Sequence, residues 1–216
     1  MAASARRSFA AVRHALDTGS LSVAAETARC RASIDAANER LRCVTATRPQ
    51  ADVARNVEWA ERLIKAGKST GVCGIPVCVK DCFHIGGMET SNGTENGVDG
   101  LPDRDAAAVA ALMEAGAIVV AKTNLPAHSM DVQTFNDRYG VTGTPYNVDF
   151  AAGGSSGGSA AAVGAGVYVV LCCFVVLCCV VLCCVVLCCV VLCCVRCSLF
   201  FARHVRQWHC EVGIAG

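Results

Sequence analysis

From Val167 to Val195 the chain carries no charged side chain, and most of this stretch is the unit Val-Val-Leu-Cys-Cys repeated. A period of five matches neither the 3.6-residue repeat of a helix face nor the alternation of a strand, so the segment offers no regular packing surface. Any ordinary globular domain is therefore expected before it. Immediately ahead lies a second unusual stretch, Gly153-Gly154-Ser155-Ser156-Gly157-Gly158-Ser159, a polar turn of the kind that opens a helix.

The repeat also governs how composition is read. The chain is 54% hydrophobic, but much of the excess sits in residues 167–195, and the remainder is ordinary for a globular protein. Of 17 cysteines, all but Cys30, Cys43, Cys73, Cys78 and Cys82 lie at or beyond Cys172, mostly in adjacent pairs that define no disulfide framework. The five early ones fit reduced thiols in a cytoplasmic setting. Cys73, Cys78, Cys82 and His84, or Cys197, His204, His209 and Cys210, match no standard zinc spacing, so no metal site is expected. A net charge of +1 without a basic block excludes a nucleic-acid footprint. The 216 residues suffice for one domain or for a piece of a larger α/β enzyme.

Residues 1–19 carry Arg6, Arg7 and Arg13 before the first acid, Asp17, with Phe9, Val12 and Leu16 on one helical face. That pattern suits a first amphipathic helix or, alternatively, a mitochondrial presequence. Ser22 is placed to cap a helix through Ala24, Ala25, Ala28 and Ile34, and Asp52 to cap one carrying Val53, Val57, Ala60, Leu63 and Ile64 as far as Gly67. Gly74 to Asp81 reads as a strand, with Ile75, Val77 and Val79 on one face and Cys78 and Lys80 on the other. Residues 86–100 read as loop. Asp103 or Asp105 is expected to start a helix that Gly116 stops, leading directly into the apolar run Ala117 to Ala121. A helix feeding a buried strand is the pattern of a parallel α/β sheet. Residues 134–153 read as loop, and Ser159 to Val163 as the start of a closely packed helix.

A glycine-rich turn entering a helix exposes backbone N–H groups, to which Ser155, Ser156 and Ser159 add hydroxyls, so it can hold an anion or a reacting oxygen. It lacks the Gly-Lys-Ser/Thr ending of a phosphate loop, and a flexible linker has the same composition. Lys80 adds chemistry. A lysine on a strand, held away from water, releases its proton more easily and can serve as a base, whereas one at a sheet edge snorkels to solvent.

Taken in order, Gly74-Ile75-Pro76-Val77-Cys78-Val79-Lys80-Asp81, Pro102 to Ala106, Gly116 to Asn124, Gly140 to Asn147 and the block from Gly153 to Gly166 resemble the amidase signature family. The resemblance covers about residues 20–166. It implies an α/β fold, a mixed sheet flanked by helices, present here in part and followed by the low-complexity apolar segment. It implies hydrolysis of carboxylic amide C–N bonds without a cofactor. The position matching the family's lysine base is Lys80. The position matching its bridging serine, held on a cis peptide bond, is Ser155, within the loop Gly153, Gly154, Ser156, Gly157 and Gly158. A second serine attacks the amide carbonyl in this scheme.

In the family that nucleophile follows about two dozen residues later, within an Asp-x-Gly-Gly-Ser stretch whose N–H groups form the oxyanion hole. Here the corresponding positions are Cys178 and Cys179, inside the repeat. A nucleotide unit GTTGT encodes Val-Val-Leu-Cys-Cys in every forward frame, so residues 169–195 are read as a translated microsatellite and the basic tail 196–216 as out of frame. The expected organisation is thus 1–19, a partial amidase domain 20–166, the repeat 167–195 and the tail. The leading functional expectation is an amidase-family chain acting on a small-molecule amide but inactive as written. One alternative within the family is the A subunit of a glutamyl-tRNA(Gln) amidotransferase. The alternative of another class is a non-catalytic remnant anchored in a membrane, since 29 apolar residues can span a bilayer. Arg196, Arg203 and Arg206 would then favour a cytoplasmic C-terminus. Nothing in the sequence bears on oligomeric state.

Overall fold

The apolar run before Lys122 becomes the middle of a three-stranded sheet. In a computed structural model, which describes residues 9–98 and 100–167, β3 (Ile118–Thr123) lies between β1 (Val44–Thr47) and β2 (Pro76–Lys80). β2 and β3 run parallel, as the helix-to-strand pattern predicts, whereas β1 is antiparallel to β3, so the sheet is mixed. Every residue of β2 and β3 is buried. Both faces are covered, which explains why these strands read as continuous apolar runs.

Helices supply the cover. α1 (Phe9–Asp17) buries Val12 and Leu16, α2 spans Val23–Leu41, α3 Gln50–Lys65, α4 Ala107–Glu114 and α5 Gly157–Gly164. Ser22 caps α2 as expected, its side chain accepting from the Ala25 N–H at 3.1 Å. The other two expected caps are corrected. α3 begins at Gln50 behind Pro49, and Asp52 lies inside its first turn, where a carboxylate favours the positive helix end and pairs with Arg55. α4 begins behind Ala106, because the Asp105 carboxylate is used elsewhere, accepting from the Gly86 N–H at 2.8 Å.

Gly116 ends α4 with φ +89°, and a Cβ there would stand 2.6 Å from the Cys73 Sγ. Glycine is required on both counts. The stretch expected to be loop at 134–153 contains a hairpin of β4 (Gly143–Thr144) and β5 (Asn147–Ala151), whose strand β5 is exposed throughout. The hairpin delivers the chain to the Gly/Ser turn. Among the described residues no helix is long and apolar enough to cross a membrane. The membrane-span and tail expectations at 168–216 lie outside the described residues.

Candidate active site

The site is assembled where β2 ends against the turn before α5. The Ala152 N–H donates to the Thr142 carbonyl at 2.8 Å and the Thr134 N–H to the Gly153 carbonyl at 2.9 Å, which fixes the entry to the turn. The Gly154–Ser155 peptide is cis, and a Cβ on Gly154 would stand 2.9 Å from the Asp131 carbonyl oxygen. Beyond it the first N–H groups of α5 are already engaged. Gly157 donates to the Thr134 Oγ1 at 2.9 Å and Gly158 to the Asn124 carbonyl at 3.2 Å. Those two amides therefore tie the helix to the loop at Thr134 and to the residue that follows β3, and are not open to an anion. Gly158 permits the approach, since a Cβ there would fall 2.4 Å from the Asn124 nitrogen. Ser156 occupies the N-cap position without a side-chain capping bond.

Lys80 and Ser155 meet. The Lys80 Nζ donates to the Ser155 Oγ at 2.8 Å. Although β2 is at the edge of the sheet, Lys80 is only 6% exposed, so it turns inward instead of snorkelling to solvent. One turn into α5, the buried Ser159 hydroxyl meets the Thr123 hydroxyl at 2.7 Å. Thr123 is the register partner of Lys80 on β3, so this contact and the one between Lys80 and Ser155 lie on the same face of the sheet.

Sequence reasoning missed the polar cluster on the opposite face. Asp81 and Lys122 form a buried ion pair, Oδ1 to Nζ 2.7 Å. Lys122 also donates to the Glu89 carbonyl at 2.7 Å and the Thr90 Oγ1 at 2.9 Å, and Ser91 donates to the second Asp81 oxygen. Burial pushes the Lys122 ammonium below the usual lysine range, against the opposing pull of Asp81. A signal was present: Lys122 ends its apolar run as Lys80 ends the run before it.

The early cysteines are free thiols, and all but Cys82 are buried. Burial pushes Cys43 up to about 11 and Cys78 well above the usual thiol value, which suits inert core packing. Among the described residues no group of three or more His, Cys, Asp or Glu side chains is placed to hold a metal ion.

A mixed sheet flanked by helices brings a buried lysine to a serine on a Gly/Ser turn, and comparison with known proteins gives the class. Residues 26–171 match the Amidase family, more than half of the chain, so the protein belongs to that family. It is 38% identical over 110 residues to the A subunit of a glutamyl-tRNA(Gln) amidotransferase from a Marinomonas species, a match covering 51% of this chain and 23% of the relative. It is 40% identical over 103 residues to an indoleacetamide hydrolase from Pseudomonas syringae pv. syringae, covering 48% of this chain and 23% of that one. The peptide amidase structure from Stenotrophomonas maltophilia superposes with a TM-score of 0.67 at 30% identity, covering 74% of this chain and 34% of that one. The chain thus spans about a quarter of these curated relatives and about a third of that solved structure.

Proposed function

We propose that residues 20–166 carry two members of an amide-hydrolysing Ser-Ser-Lys triad, with Lys80 as the base in its neutral form and Ser155 as the bridging serine. In this reading the Lys80 amine draws a proton through the Ser155 hydroxyl from a nucleophilic serine, and returns it by the same path to the leaving amine. The substrate class is a small carboxylic amide. The observation that carries the reading is the 2.8 Å contact between the Lys80 Nζ and the Ser155 Oγ at the end of a buried strand.

We further propose that the chain as written does not turn over. The nucleophile and its oxyanion-hole glycines have no counterpart in the repeat, and losing one such donor alone costs a factor of ~10²–10³ in rate. Cys178 and Cys179, at the corresponding positions, are flanked by none of those glycines. The test is an assay of the full chain on aliphatic and aryl amides, beside Lys80→Ala and Ser155→Ala. Equal background in all three supports the reading. Turnover abolished by Lys80→Ala would keep the relay and overturn the inactivity, and turnover surviving in Lys80→Ala would overturn the relay.

The second reading, the A subunit of a glutamyl-tRNA(Gln) amidotransferase, is favoured by the relatives bearing that name. Against it, we read Pro126-Ala127-His128-Ser129-Met130-Asp131 as resembling the general amidases more than that subunit. Co-purification with charged tRNA and the other amidotransferase chains would support it, and absence of such an assembly would dismiss it.

A further inference from the structure

The lysines at the ends of the two parallel strands serve opposite faces of the sheet. Lys80 is in register with Thr123, and Val79 with Lys122. Successive residues of a strand alternate between faces. On one face Lys80 reaches Ser155 and Thr123 reaches Ser159. On the other, Lys122 forms an ion pair with the Asp81 carboxylate and donates to the Glu89 carbonyl and the Thr90 hydroxyl. Asp81 is fixed through its backbone too, its N–H donating to the Thr123 carbonyl and its carbonyl accepting from the Asn92 N–H, each at 3.1 Å.

Lys122 is 0% exposed and Asp81 2% exposed. A buried ion pair is weak evidence of a stabilising role, because desolvating two charges offsets their attraction. Its location is more telling, since Asp81 is bonded directly to Lys80.

We propose that Lys122 is a positioning residue for Lys80: it holds the Asp81 carboxylate on the far face of the sheet, fixing the strand end from which Lys80 reaches Ser155 and neutralising the charge next to it. The inference rests on reading Lys80 as the base of the relay.

The surrounding charges fit this arrangement. Glu89 is held by Arg138 at 2.6 and 2.7 Å, so Asp81 with Lys122 and Glu89 with Arg138 form two matched pairs. Tyr139 and Cys82 border them, and the His84 Nδ1 faces the Thr90 hydroxyl at 3.0 Å. On the face of Lys80, burial keeps the Cys78 thiol neutral, and α5 contributes no titratable side chain. Removing Lys122 would leave uncompensated the carboxylate of the residue that follows Lys80 in the chain. An unpaired anion nearby favours the protonated lysine.

The test follows lysine Cε resonances of the full chain by NMR across pH. The lysines are Lys65, Lys68, Lys80 and Lys122, and the exposed Lys65 and Lys68 serve as internal references. Lys122→Met is expected to raise the Lys80 midpoint by about one pH unit. The charge-free double variant Lys122→Met with Asp81→Asn is expected to restore it. A lower unfolding temperature with an unmoved Lys80 midpoint would mean a merely structural role and overturn the proposal. Should Lys122→Met not fold, Asp81→Asn is compared with the double variant. It leaves the Lys122 charge uncompensated, so its Lys80 midpoint should lie lower, and equal midpoints would overturn the proposal. Failure of the relay reading shows separately, as a Lys80 midpoint indifferent to Ser155→Ala.

Discussion

The Lys80 Nζ donates to the Ser155 Oγ at 2.8 Å, joining positions 75 residues apart in the chain. The contact depends on two unrelated local decisions. One is a strand whose last residue is a lysine, and the other is a turn whose glycines let α5 lie directly on the sheet. Lys80 and Ser155 belong to a chain of the Amidase family, so the pair has a chemical reading as well as a structural one.

Gly158 is the position where the turn is most sensitive. An added Cβ would meet the Asn124 backbone at 2.4 Å and the Cys43 carbonyl at 2.7 Å, and neither is the end of a flexible side chain. Gly158→Ala should cost about 1–3 kcal/mol, the range for overpacking, and should loosen the Ser155 turn. Urea unfolding measures the cost, and an unchanged midpoint would show that α5 does not pack as closely as described.

The fold should lose stability in alkali through its buried thiols. The folded-state value of Cys43 is raised to about 11 from the ordinary 9.0. The folded state therefore keeps a proton that the unfolded state releases above pH ~9, and stability falls as pH rises from there to about 11. The contribution of Cys43 is on the order of 2 kcal/mol. Urea midpoints of wild type and Cys43→Ala should converge between pH 8 and pH 11, and a constant difference would contradict the assignment. Lys122, shifted downward, acts with the opposite sign, so the comparison with Cys43→Ala is what isolates the thiol.

The cap on α2 offers a simple check of local structure. Ser22→Ala removes the acceptor of the Ala25 N–H and should cost about 1 kcal/mol. Ser22→Gly should cost only a few tenths. A thermal melt of the two variants that ranked them in reverse would argue against the cap.

Much of this fold is legible in the sequence because its signals are local. The apolar runs ending at Lys80 and Lys122 mark two buried strands, and Gly116 marks where helix gives way to strand. β1 escapes such reading: four residues, Val44 to Thr47, between two helices carry too short a pattern, and their pairing with Thr123 is set by tertiary contact. The β4–β5 hairpin was masked by its glycine, proline and asparagine, although Asn147 to Ala151 does alternate. Asp52 and Asp105 show that a favourable capping residue does not fix a helix start when proline, or a competing amide donor, decides it.

The site is legible in a different way. Neither Lys80 nor Ser155 is informative alone, and ordered resemblance over residues 20–166 is what links them. The Asp81–Lys122 pair stayed hidden because spacing along the chain says nothing about which face of a sheet a charge will occupy. Only the register of β2 against β3 separates Lys80 from Lys122.

The contact between Lys80 and Ser155 is tested most directly by a double-mutant cycle, using Lys80→Met, Ser155→Ala and both together, read by urea unfolding. The account predicts that the two losses are not additive, with a coupling of ~1 kcal/mol for the shared hydrogen bond. Losses that add to within about 0.3–0.5 kcal/mol would show that Lys80 and Ser155 act independently, and would contradict the relay.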